Sequence, residues 1–433
     1  MLNYVLTPDT QAVLLLCGTF GKKPEADVKP LSVAEYNRLA QWLHENAMRP
    51  ADLLQPGRVL PDGNESGPSL DPPRVLSLLD RGGAMAIAVE SWTNRGSWVL
   101  SRSDDLYPRR LKTRLGRAAP PLLYGAGDPA LLSEGGLAVV GSREMDASAE
   151  DFAWRVGALA GRQGIALVSG GARGIDSTAM LTALEEGGRA VGVLSDSLEK
   201  AAVSGKYRPA VQKGALVLAS PFEPSARFTV WRAMDRNKYV YALSDWALVV
   251  NASAETGGTR AGALENLKAK WVPVFVRADD EVPEGNRVLI REGGIPLRLS
   301  EMSQSINLHD WLEARAAHGT FTASENSELP TAEGDHSGAP QDQVSDGGAK
   351  LSPSGRPQEE IDLFEIIWPH MVRYLAIARG EKELAGLLAL EPAQVRAWLK
   401  RGRDLGRVKK LSRPARFIAI EESAPADQLD LIG

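Results

Sequence analysis

From residue 137 the chain alternates short apolar runs with longer stretches of mixed polarity. The runs are Leu137–Val140, Ile165–Val168, Ala190–Leu194, Ala215–Leu218, Trp246–Val250 and Val272–Val276. Apolar runs this short read as strands covered on both faces. Helical spacing fills several of the gaps between them. This alternation predicts an α/β fold whose sheet is doubly wound and mostly parallel, over residues 101–305.

The pattern differs on either side. Residues 1–100 show helical spacing, with Val13–Leu16 in one helix, Tyr36, Leu39, Trp42 and Leu43 on the face of another, and Val75, Leu76, Leu78 and Leu79 on a third. They predict an N-terminal helical domain, interrupted by a Pro- and Gly-rich loop over Pro56–Pro73. Residues 306–356 are polar, acidic and rich in Gly, Ser and Pro, the composition of a disordered linker. Residues 357–423 resume with an amphipathic helix over Ile361–Trp368. Two helices follow, over Glu383–Leu388 and Glu391–Leu399, then an alternating hairpin over Val408–Leu411 and Arg416–Ile420. Helix-turn-helix plus hairpin predicts a C-terminal winged-helix domain.

Composition narrows the chemistry. A single cysteine, Cys17, permits no intramolecular disulfide and no cysteine-based metal site, as expected of a cytoplasmic protein. No apolar run reaches the roughly 18 residues of a membrane span, so no membrane contact is expected. Met1-Leu2-Asn3-Tyr4 lacks a basic leader, so no signal peptide is expected. The net charge of −5 places any nucleic-acid contact in a local patch rather than over the whole surface.

Three Gly-rich turns follow three of the strands: Val140-Gly141-Ser142-Arg143, Val168 to Asp176, and Ala254 to Arg260. In a parallel sheet all three belong to one edge. Glycine lets backbone amides approach an anion, the following helix adds its positive end, and each turn carries an arginine able to clasp a phosphate. The expected phosphate set is Gly141, Ser142, Arg143, Ser169, Gly170, Gly171, Arg173, Gly174, Thr256, Gly257, Gly258 and Thr259. Asp176 is expected to cap the helix after the second turn. The turns make the domain Rossmann-like, but the dinucleotide pattern G-x-G-x-x-G and the P-loop are both absent, so no cofactor is expected. A fourth element, Arg236-Asn237-Lys238, offers two cations and an amide.

These residues, in this order, resemble the DprA/Smf family of DNA-processing proteins. Val140–Arg143 resembles its Val-Gly-[Ser/Thr]-Arg run, Ser169–Asp176 its Ser-Gly-x-Ala-x-Gly-Ile-Asp run, and Arg236–Lys238 its Arg-Asn-[Arg/Lys] run. Asp105–Pro108 and Pro120–Gly125 resemble segments further upstream in the family, so the likeness covers roughly residues 75–300. Two places depart from the family pattern: Thr256–Ala263, and Lys206-Tyr207-Arg208-Pro209. They mark a divergent branch, serving either natural transformation or phage defence beside a cognate effector or toxin. The resemblance implies single-stranded DNA bound at the strand ends, a homodimer through the Rossmann-like domain, and delivery of the strand to a RecA-type recombinase. It implies contacts from Arg143, Ser169, Gly170 and Gly171, then Arg173, Arg236, Asn237 and Lys238. Lys200 and Lys206 extend the basic rim, and Tyr207 and Phe228 are candidates for base stacking.

In the winged helix Arg396, Lys400, Arg403, Lys409 and Lys410 form a basic face suited to DNA phosphates or to a protein partner; from 396 to 416 only Asp404 opposes them. The competing readings are a nucleotide-sensing regulatory subunit and a nucleotide phosphoribohydrolase. That enzyme family's Pro-Gly-Gly-x-Gly-Thr-x-x-Glu run is broken here, because Glu265 lies six residues after Thr259. His44, His309, His318, His336 and His370 all lie outside the central strands and turns. No catalytic residue and no metal ligand are expected.

Overall fold

The computed structural model describes residues 5–20, 29–57, 71–253, 257–302, 306–319, 368, 371–372, 374–375, 377–387, 392–411 and 416–419. The chain divides into two units, residues 1–331 and 332–433.

The first unit begins with four helices, α1 (Pro8–Cys17), α2 (Val33–Glu45), α3 (Pro72–Leu79) and α4 (Gly82–Asn94). Local chemistry starts them: Thr7 caps α1, and Ser32 with Glu35 forms a capping box on α2. Next come β1 (Ser97–Ser101), α5 (Arg109–Leu115), β2 (Leu122–Ala126), β3 (Leu137–Val140), α6 (Ala147–Arg162), β4 (Leu167–Ser169), α7 (Ile175–Glu185) and β5 (Ala190–Val193). The unit continues through α8 (Leu198–Val203), α9 (Arg208–Gln212), β6 (Leu216–Ser220), α10 (Val230–Leu243), β7 (Trp246–Val249), α11 (Gly258–Ala269), β8 (Val274–Arg277), α12 (Glu284–Arg291), β9 (Ile295–Leu297) and α13 (Leu308–Gly319).

The nine strands form one sheet in the order β1-β2-β6-β5-β4-β3-β7-β8-β9. From β6 to β9 every pair is parallel, with Leu137 of β3 in register with both Leu167 and Trp246. β2 pairs antiparallel with both β1 and β6. The six predicted strands are the six central ones, β3 to β8. After β6 the chain returns to pair β7 with β3, so the winding direction reverses between these two strands. The doubly wound, mostly parallel sheet is therefore as expected.

Two boundaries differ from the sequence reading. The division between residues 100 and 101 falls inside β1. The N-terminal helices also share a core with the sheet, where Leu14, Leu39 and Trp92 join Tyr124, Leu216 and Leu218. Trp92 meets Tyr124 edge-on, with ring centroids 5.3 Å apart. The second difference is α13, which occupies the start of the expected linker. Leu308 and Leu312 are buried in a cluster with Phe275 and Leu248. Trp246 lies edge-on to His309 at 5.1 Å, and Phe275 packs on Trp311 at 5.9 Å. An apolar stripe at helical spacing is diluted when the composition is averaged over a long polar window. Residues 320–356 of the expected linker lie outside the described residues.

The second unit holds helices Glu381–Leu387 and Pro392–Asp404, then β10 (Val408–Leu411) paired antiparallel with β11 (Arg416–Ala419). Arg379 adds a bridge to Phe417, and Leu375, Leu384, Val395, Leu399, Val408 and Phe417 pack together. Residues 388–391 between these helices, and the expected helix Ile361–Trp368 apart from Trp368, lie outside the described residues. Among the described residues no helix is long and apolar enough to cross a membrane, and no group of three His, Cys, Asp or Glu is placed to hold a metal.

Candidate nucleic-acid interface

The first two Gly-rich turns are tied together by one carboxylate. Asp176, in the first turn of α7, is 5% exposed and accepts the Gly141 amide at 3.3 Å. The amides of Ala172 and Gly170 also favour its charged form. Contrary to the sequence reading, Asp176 does not cap α7. The helix starts from Gly174, with φ +88° and no side-chain cap, while the carboxylate serves the turns after β3 and β4. A side chain at Gly174 would also collide with the Ser142 carbonyl oxygen, 2.7 Å from the added carbon.

Arg236 of α10 enters beneath the same turns. Its Nη1 lies 3.8 Å from Asp176 Oδ2, with both side chains under 10% exposed. Burial pushes the Asp176 carboxyl above the usual carboxylate range, and Arg236 opposes that shift. The guanidinium itself stays charged. Its Nε is buried without a hydrogen-bond partner, which gives the region an unmet donor.

Above this pair opens a cleft of about 550 Å³ at the carboxyl ends of β3, β4 and β5. Arg143, Arg173, Lys200, Lys206 and Arg236 line it, against one carboxylate, Asp196. Among the described residues no acid forms an ion pair with Arg143, Arg173, Lys200 or Lys206. Two aromatic residues shape the walls. The Arg143 guanidinium lies 4.9 Å over the Phe228 ring, and Lys206 Nζ lies 4.9 Å over Tyr207. The Tyr207 hydroxyl donates to the Gly171 carbonyl at 3.4 Å. Gly170, Gly171, Leu194 and Tyr207 also line the cleft.

Several expected contacts lie elsewhere. Ser169 is fully buried, and its hydroxyl donates to the Val139 carbonyl at 2.8 Å. The Ser142 amide donates to Asn251 Oδ1 at 2.7 Å, and its hydroxyl accepts from the Glu144 amide. With the Gly141 amide held by Asp176, these groups shape the turns rather than face the cleft. Asn237 Nδ2 donates to the Gly258 carbonyl at 2.9 Å. Lys238 pairs with Asp235 and covers Tyr239. Arg236, Asn237 and Lys238 are successive residues on one helix and therefore point in different directions. Gly257, Gly258 and Thr259 open α11 beyond the reversal at β3 and β7 and do not line the cleft. Thr256 lies outside the described residues. Glu265, the acid of the enzyme alternative, faces Lys238 and Asp235 and is not part of the lining either.

From the chain after β5 the sequence reading took Lys200 and Lys206 but missed the turn itself, where Ser195, Asp196 and Ser197 line the cleft. That turn holds no glycine, so its signal was only its place after a buried strand. In the second unit Lys400, Arg403 and Lys409 are exposed, while Arg396 is paired with Glu381. Lys410 sits in β10 opposite Phe417, and its side chain lies outside the described residues.

The fold and the cleft define an α/β protein with a Rossmann-like, mostly parallel sheet and a cationic cleft over its strand ends. Residues 98–306 match the family described as DNA recombination-mediator protein A, so this domain belongs to the DprA/Smf family of DNA-processing proteins. A Mycobacterium tuberculosis protein provisionally named DNA processing protein DprA is 32% identical over 209 residues. That alignment covers 45% of this chain and 51% of the relative, so the chain spans about half the length of the curated relative it matches. DNA processing protein A of Streptococcus pneumoniae has a similar fold, at TM-score 0.51 and 19% identity, covering 67% of this chain and 95% of that one. A Helicobacter pylori DNA processing protein A, described for its single-stranded DNA binding mode, aligns at TM-score 0.41 and 22% identity, covering 50% of this chain and 96% of that one.

Proposed function

We infer that the cleft over β3, β4 and β5 grips the sugar–phosphate chain of single-stranded DNA, and that the protein acts as a DNA binder rather than an enzyme. One observation carries this reading. The buried Arg236, with its unmet Nε, sits under a cleft where four further cations find no acid partner among the described residues. Concentrated positive charge of this kind attracts a polyanion, and the family to which residues 98–306 belong processes DNA.

In this reading the protein protects a strand or presents it to a recombinase, and a homodimer through the Rossmann-like domain doubles the groove. The exposed Lys400, Arg403 and Lys409 supply a second contact with DNA phosphates or with a protein partner. A regulatory role in phage defence uses the same cleft as a sensor of DNA or of a nucleotide.

The test is a titration of the full chain with a fluorescent 20-mer of deoxythymidine across a salt series. Each cation that contacts a phosphate steepens the log–log salt slope by about 0.7. Engagement of Arg143, Arg173, Lys200 and Lys206 therefore predicts a slope near −3, which Lys200→Ala makes shallower by about 0.7. A flat salt response, or binding or turnover of free mononucleotides alone, would overturn this reading in favour of a nucleotide sensor or an enzyme.

A further inference from the structure

An aromatic ledge borders the cleft where α10 begins. Trp231 is 65% exposed, and Phe228, Val230 and Met234 are also exposed beside it. Large apolar side chains gathered at a surface lose free energy to water unless something covers them. Phe222 packs against Trp231 with ring centroids 6.0 Å apart, which holds the indole in place. The ledge is continuous with the cleft. Phe228 belongs to both, and the backbone bonds Ser197 N–H to Ala226 C=O (2.8 Å) and Glu199 N–H to Pro224 C=O (3.1 Å) join the loop before α10 to the turn after β5.

Cations are interleaved with these rings. Arg143 lies over Phe228, and Arg232 lies 5.4 Å over Phe222. The nearby carboxyl that faces Arg232, Glu223, is pushed up by burial and bonded to Ser225. Aromatic faces alternating with guanidinium groups suit a strand whose bases are unpaired, because every base has a face to stack and every step has a phosphate to neutralise. A duplex keeps its bases stacked on one another and offers none.

We propose that Trp231, with Phe228 and Phe222, is a base-stacking ledge that makes the cleft selective for unpaired nucleotides. The strand's phosphates follow the cationic cleft while its bases leave it and stack on the ledge. The proposal rests on the cleft reading given above and adds to it the part of the ligand that carries the π-faces.

The experiment compares the full chain and Trp231→Ala, Trp231→Phe and Lys200→Ala variants on two fluorescent strands of equal length and charge. One is a 20-mer of deoxythymidine and the other an abasic sugar–phosphate 20-mer. Stacking is worth about 1–3 kcal/mol per base, so the natural chain is expected to prefer the deoxythymidine strand by at least fivefold. Trp231→Ala should erase most of that preference, Trp231→Phe should retain it, and Lys200→Ala should weaken both strands together. Equal binding of both strands by the natural chain, or deoxythymidine binding by Trp231→Ala as tight as by the natural chain, overturns the ledge and leaves the cleft standing. So does a fall in molar mass by light scattering confined to Trp231→Ala, since the ledge would then be a contact between copies. Failure of the natural chain to bind either strand removes the cleft reading and the ledge with it.

Discussion

The Arg236 guanidinium lies directly against Gly170, so close that a Cβ added to that glycine would sit 1.3 Å from Nη1. Gly170 is therefore a socket for Arg236 as much as a flexible point in a turn. Gly170→Ala should force the arginine out or shift the turn after β4. Overpacking a buried site costs about 1–3 kcal/mol. Chemical denaturation should show a loss in that range, accompanied by weaker oligonucleotide binding. A variant with the natural midpoint and natural affinity would show that the two residues do not compete for space.

Asp176 and Arg236 should be unequal to their removal one at a time. Taking away one partner of a buried pair leaves an uncompensated charge and costs about 3–5 kcal/mol. Asp176→Ala also frees the Gly141 amide. It is expected to destabilise the first unit more than Arg236→Met, whose side chain fills similar volume without charge. Urea melts of both variants check the order, and a reversed order would place the structural weight on the arginine.

Glu35 provides a pH prediction with a definite sign. The hydrogen bond from Arg74, at 2.7 Å, together with the Ser32 amide holds its carboxyl at about 2 against an ordinary 4.5, although partial burial opposes this. A carboxyl lowered in the folded state binds protons more readily once the chain unfolds. Its contribution is therefore complete above the ordinary value and is lost as pH falls from 4.5 through 2. Glu35→Gln should flatten the acid limb of the stability curve in that window, as measured by thermal melts at each pH. An unchanged slope would show that the Arg74 contact does not bias the titration.

Helix α13 should behave as part of the first unit. Leu312 is 1% exposed within a cluster that includes Phe275. Leu312→Ala should cost about 2–5 kcal/mol, the range for a truncated core leucine. Hydrogen exchange should place the α13 amides among those protected by global unfolding. Rapid exchange there, with no loss of stability in the variant, would return residues 308–319 to the linker.

Much of the architecture was legible because it is written in local pattern. Six buried runs and the glycines between strand and helix report period and turn geometry, and neither depends on distant partners. The family motifs added Arg143, Gly170, Gly171, Arg173 and Arg236, all of which line the cleft. The outer strands β1, β2 and β9 were less legible, because their pairing rather than their own pattern makes them strands.

The chemistry of the site was harder to read for a different reason. Whether an amide or hydroxyl faces a ligand depends on whether another part of the chain has already taken it. Asp176 takes the Gly141 amide, Asn251 takes that of Ser142, and Val139 receives the Ser169 hydroxyl. Gly257, Gly258 and Thr259, which open α11 after β7, do not line the cleft either. Sequence order places a donor at the sheet edge, but the residues packed around it in three dimensions determine whether that donor is still available.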